Sequence, residues 1–157
     1  MANISSKVQT SGGFVPMQID ASGKFSAHVS FYEIANPSSG ESVILELPNE
    51  ARLHNICWEI WREWWGKPVA INCGYRTPSY NRKVGGASNS QHLKCAAYDC
   101  AVGQISDTLF AECRDVCYAI AKSHGTQCEL GRYSWGLHIG FSKLDYTTKT
   151  VYVFNKR

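Results

Sequence analysis

Leu53, Ile56, Cys57, Ile60, Trp61 and Trp64 recur at i, i+3, i+4, i+7, i+8 and i+11. That spacing lines them along one side of a helix, which must be buried against something else. The segment follows Pro48, with Asn49 as a cap, and closes at Gly66-Lys67-Pro68. A second helix is predicted from Asp107 to Lys122, capped by Ser106, with Leu109, Phe110, Cys113, Val116, Cys117 and Ile120 in register. Segments of strand length lie between and after them: Val69 to Cys73, Ala96 to Val102, Tyr133 to Ser142 and Thr148 to Phe154. This order predicts an α+β fold, with helices packed on one side of a mostly antiparallel sheet. Gly74 to Gln91, containing Pro78 and Gly85-Gly86, reads as a long polar loop, which in a compact domain usually serves function. Residues 1–24, rich in Ser, Gly and Gln, read as a loosely packed leader to a single domain over 25–157, with a turn at Asn36 to Gly40.

Composition narrows the function. With 157 residues, 44% hydrophobic and 18% charged, the chain suffices for one core. Its net charge of +3 comes from scattered Lys and Arg, with no basic stripe of the kind that tracks nucleic acid. The first fourteen residues lack the character of a signal peptide and no stretch is long enough to span a membrane, so a soluble product made in the cytoplasm is expected. Seven cysteines, an odd number set mostly at apolar positions, read as buried thiols in a reducing compartment. Among them, Cys113 and Cys117 fit core packing better than a metal site.

The chemistry concentrates in two strands. In Trp135-Gly-Leu-His-Ile-Gly-Phe141, alternation puts Trp135, Leu137, Ile139 and Phe141 on one face and His138 between two glycines on the other. In Ala96 to Val102, Asp99 shares a face with Ala97 and Ala101, and a carboxylate there must be paired or hold a cation. His92 lies seven residues earlier, at the end of the polar loop. Two histidines and a carboxylate suit zinc with an open fourth position. Spacing alone leaves open the alternative that His138 is an outward polar residue of a half-buried strand. His28, His54 and His124 have no partners in spacing; His124 suits a helix C-terminus. Helical spacing puts at least two of Trp58, Trp61, Trp64 and Trp65 in the core.

Gly74-Tyr-Arg-Thr-Pro78, Tyr80-Asn81, Val84 to His92, Ala96-Ala-Tyr-Asp99 and Trp135-Gly-Leu-His138 together resemble the zinc D-Ala-D-Ala carboxypeptidase family of peptidoglycan peptidases. That family includes phage endolysins and shares its fold with the hedgehog amino-terminal domain. The resemblance implies His92, Asp99 and His138 as zinc ligands, and Arg76 and Ser90 as substrate-binding residues. It implies a metallopeptidase, a D-Ala-D-Ala carboxypeptidase or a cross-link endopeptidase, acting on stem peptides at the bacterial cell wall in phage lysis, as a monomer. Two departures bear on this. Where relatives carry glycine, this chain has Cys95, which is open to three readings: a filler behind the site, a fourth ligand, or a redox switch. Where many relatives carry an acid three residues before the last histidine, it has Trp135. The base then falls to Glu129, within reach only if Gly131 to Ser134 folds back as a hairpin; a surface glutamate is the other reading. The alternative function is a catalytically inactive zinc-containing binding or structural module of the same fold.

Overall fold

The computed structural model of the chain describes residues 7–10, 13–16, 23–35 and 49–155. Lys7–Thr10 (β1) and Gly13–Pro16 (β2) pair antiparallel, as do Lys24–Ser26 (β3) and Val29–Ser30 (β4), and a single helical turn, Phe31–Ile34 (α1), follows. The rest of the expected leader before residue 23, and the turn at Asn36 to Gly40, lie outside the described residues. After them come Asn49–Trp65 (α2), Ile71–Cys73 (β5), Pro78–Lys83 (α3), a 3-10 turn over Gln91–Lys94, Tyr98–Cys100 (β6), Asp107–Ser123 (α4), Cys128–Arg132 (β7), Leu137–Phe141 (β8) and Val151–Asn155 (β9). The last five strands form one sheet in the order β5-β6-β8-β7-β9, antiparallel except for the β7–β9 pair. This is the α+β architecture expected.

One face of that sheet is apolar. Tyr98, Cys100, Leu130, Leu137, Ile139 and Phe141 are buried with Cys57, Trp58 and Trp61 of α2 and Phe110, Cys113 and Cys117 of α4. All seven cysteines are buried thiols outside any disulfide. Cys100 accepts the Trp58 indole N–H at 3.3 Å and Cys113 that of Trp61 at 3.2 Å, which satisfies two donors a purely aliphatic core would strand. Trp58→Ala is expected to destabilise the fold by about 3–5 kcal/mol through the cavity it leaves, read as a lower urea midpoint at unchanged slope.

Helix α4 buries the stripe read from its spacing, and Ser106 caps it by accepting the Leu109 N–H. Helix α2 is rotated from the expected register: Ile56, Ile60 and Trp64 are exposed, while His54 and Asn55 are buried. Each of these polar side chains makes one hydrogen bond that offsets part of its burial, while His54 Nε2 is buried without a partner among the described residues. Asn55 Oδ1 accepts the Tyr98 hydroxyl at 2.6 Å, and His54 Nδ1 accepts the Phe141 N–H at 3.0 Å. Burial, reinforced by the charges of His138 and His92, holds the His54 pKa well down, so the ring is neutral. The polar loop is also more ordered than its composition implies. Thr77 accepts the Tyr80 N–H and Pro78 starts α3, a helix with no apolar periodicity to reveal it.

Candidate metal centre

Pairing across the sheet builds the site. Cys73 of β5 stands opposite Asp99 of β6, Asp99 opposite His138 of β8, His138 opposite Gly131 of β7, and Gly131 opposite Phe154 of β9. Directly paired residues point to the same face, so this row lies on the side of the sheet away from the helices. Two residues along, Gly140, Glu129 and Tyr152 form a parallel row. A cleft of about 440 Å³ opens over both, lined by Arg76, Ser90, His92, Asp99, Glu129 and His138 among others.

The carboxylate of Asp99 is the hub. Its Oδ1 lies 3.2 Å from His92 Nε2 and 3.2 Å from His138 Nδ1, and its Oδ2 is 3.8 Å from an Arg76 terminal nitrogen. The other nitrogen of each ring is engaged elsewhere, which fixes its orientation. His92 Nδ1 donates to the Gly74 carbonyl at 2.8 Å; His138 Nε2 lies 2.9 Å from Glu129 Oε1 and 3.2 Å from Gln91 Oε1. Such partners are what orient histidines toward a metal. The rings stand 5.1 Å apart, edge to face. Two imidazole nitrogens converge on one carboxylate oxygen, each ring backed by an outer partner, and these residues fit a divalent metal in donor chemistry, although the donor atoms that lie within 4.8 Å of one another are those of His92, Asp99 and Cys73 rather than His138.

Local folding explains the convergence. The 3-10 turn carrying His92 is held at both ends: Ser90 Oγ accepts the His92 N–H at 3.2 Å, and the His92 carbonyl accepts the Arg76 N–H at 2.9 Å. Cys95 closes the turn with φ of 53°, the left-handed conformation that favours glycine. Its side chain is fully buried in the core. Of the three readings of Cys95, the structure places it as the filler. The tight turn Tyr133 to Gly136, with reciprocal backbone hydrogen bonds, folds β7 back on β8 and brings Glu129 to the site. The glycines around His138 serve protein atoms: a Cβ on Gly140 would collide with the Gln91 side chain, one on Gly131 with the Phe154 ring, and one on Gly136, at φ of 153°, with the Cys100 carbonyl.

Arg76 lines the cleft with one terminal nitrogen donating to Asn81 at 3.3 Å; its Nε is buried without a hydrogen-bond partner among the described residues. Both Glu129 oxygens are occupied, Oε1 at His138 and Oε2 accepting the Tyr146 hydroxyl. Sequence reading missed Gln91, Tyr146 and Cys73 as neighbours of the site. It also missed the pairing of His28 Nδ1 with Glu59 at 2.7 Å, remote from the cleft; His124 does cap its helix, bonding the Ile120 carbonyl at 2.9 Å.

Charge is tightly coupled here. Burial alone would raise the Asp99 pKa, but the His92 charge and hydrogen bonds from both histidines hold it far below the usual carboxylate range. Glu129 is likewise held low by His138 and Tyr146 against its burial. Burial disfavours a charged His92, yet Asp99 outweighs it and raises the ring to about 10. The two carboxylates therefore stabilise the fold above their unfolded values, and that stability is lost as pH falls through the folded ones. His92 contributes stability that is complete below 6.5 and lost as pH rises through about 10. The metal-free protein is expected to lose melting temperature between pH 6.5 and 10. A bound metal, which needs the ring neutral, should remove that slope. Thermal melts across the range with and without metal check both statements.

The α+β fold sets His92, Asp99 and His138 around a cleft on the open face of its sheet, a donor set of the kind metallohydrolases use. The sequence profile of the Peptidase M15 family matches residues 28–138, most of the chain and every residue of the donor set. The protein belongs to that family, the zinc D-Ala-D-Ala carboxypeptidase family, and is by that membership a metallopeptidase. No curated protein matches the chain closely. No described helix is long and apolar enough to cross a membrane.

Proposed function

We propose that this chain is a zinc-dependent peptidase that hydrolyses peptidoglycan stem peptides as a carboxypeptidase or cross-link endopeptidase. We further propose that it does so as a monomer, in cell-wall lysis by a phage. The observation that carries the reading is the convergence of His92 Nε2 and His138 Nδ1 on Asp99 Oδ1, beside an arginine whose buried Nε has no partner among the described residues. His92, Asp99 and His138 would hold the zinc, whose contribution when bound is Lewis acidity toward a carbonyl and toward water.

The remaining work falls to the chain's own side chains. Arg76 presents a planar fork of donors to a carboxylate or carbonyl of the peptide. Ser90 holds the His92 turn through its oxygen and keeps its hydroxyl proton for the substrate. Glu129 and Asp99 are the carboxylates lining the cleft. With Asp99 occupied by both histidines, the role of taking a proton from the attacking water is assigned in this reading to Glu129.

One observation favours a second reading, a zinc-bearing binding module without catalysis: both oxygens of Glu129 are already bonded. Incubation of the zinc-loaded protein with purified muropeptides, followed by mass spectrometry, separates the two. Release of D-alanine identifies a carboxypeptidase and opening of a cross-link an endopeptidase. Intact peptides bound by folded, zinc-loaded protein would establish the module instead.

A further inference from the structure

A cysteine stands beside the candidate metal centre in a place that its sequence position conceals. Ile71 and Cys73 are two apart and in a regular strand would share a face, pointing to the core with Cys100. Between them the pairing slips: Ile71 stands opposite Cys100, but Cys73 stands opposite Asp99. A bulge of this kind re-aims a side chain, and here it carries Cys73 into the row occupied by Asp99 and His138. Cys73 Sγ lies 3.6 Å from His92 Nδ1, the ring nitrogen that also bonds the Gly74 carbonyl, while Nε2 faces Asp99. The sulfur, a His92 nitrogen and an Asp99 oxygen all fall within 4.8 Å of one another. The six other cysteines are placed differently: Cys95 fills the core behind the turn, and Cys57, Cys100, Cys113, Cys117 and Cys128 belong to the core itself.

We propose that Cys73 is a fourth protein donor to the metal held by His92, Asp99 and His138. The inference rests on the metal site of the proposed function and goes beyond it. Zinc and cobalt accept a mixed nitrogen, oxygen and sulfur donor set. As the sulfur–metal bond forms, the thiol proton passes to solvent, and no oxidant or reductant is involved. The site then has two forms. With Cys73 coordinated, four protein donors close it, the arrangement of structural metal sites; with Cys73 withdrawn, one position is open for chemistry. Cys73 thereby competes with water and substrate and sets the fraction of chains able to turn over.

Cobalt-loaded protein tests this without reference to activity. Thiolate ligation gives a sulfur-to-cobalt charge-transfer absorption in the near ultraviolet. That band is expected in the parent chain, lost in Cys73→Ser and retained in Cys95→Ser, with bound cobalt measured by elemental analysis in all three. If cobalt binds one per chain but the band is missing, or persists in Cys73→Ser, Cys73 is not a ligand and the three-residue metal site stands. If the folded parent chain binds neither cobalt nor zinc, the metal reading fails, and this proposal with it. Should Cys73→Ser not fold, alkylation of the parent chain mapped by mass spectrometry decides. Zinc is expected to slow modification of Cys73 more than that of the other six thiols, and equal slowing at all of them would overturn the assignment.

Discussion

Asp99→Ala is expected to reduce bound zinc to background and peptidase turnover by about 10³-fold or more, with the fold retained. The carboxylate touches both His92 and His138. Its removal leaves two imidazoles without the anion that gathers them. Lewis-acid assistance is worth several kcal/mol of barrier, and about 1.4 kcal/mol corresponds to each decade of rate. Equilibrium dialysis with elemental analysis reads the metal, and muropeptide digestion reads the rate. The variant also frees His92 from the charge that raises its pKa, so the alkaline loss of melting temperature expected of the metal-free parent should disappear. Full turnover in a metal-depleted Asp99→Ala would place the chemistry elsewhere.

Glu129→Gln carries the second large effect. If Glu129 takes the proton from the attacking water, its amide should lower kcat by about 10²–10⁴-fold at saturating zinc, with bound metal unchanged. The contact with His138 Nε2 gives the rival expectation. A residue that only orients a ligand costs about 10–100-fold in metal affinity when removed, and excess zinc would then restore the rate. Tyr146→Phe refines the comparison, because the Tyr146 hydroxyl holds the second Glu129 oxygen. It should raise the Glu129 pKa and shift the acid limb of the rate profile toward neutrality, leaving zinc content alone.

Much of this centre was legible because strands alternate. An aspartate between small residues and a histidine between glycines can sit only on the polar side of a sheet whose other side is apolar, and β6 and β8 pair in the register that brings them together. The approach of Glu129 was conditional on a hairpin, and the hairpin formed at Tyr133 to Gly136. What stayed hidden was set by contacts distant in sequence. Gln91 fills the space beside Gly140, one of the two glycines that flank His138. Cys73 changes face through a bulge whose cause lies in pairing with β6. His54 and Asn55 turn α2 inward on a polar side because their partners, Phe141 and Tyr98, come from strands far along the chain. In α3, a cap and a proline rather than an apolar stripe make the helix.

The most direct test of the zinc peptidase account is a titration. Protein stripped with a chelator is returned to known zinc, and hydrolysis of a purified stem peptide is followed at each addition. Turnover should be absent at the start, rise in proportion to bound zinc and level off at one zinc per chain, and His92→Ala and His138→Ala should show no rise. Hydrolysis that continues unchanged in the stripped protein, or zinc that saturates the parent site without any hydrolysis, would contradict the account.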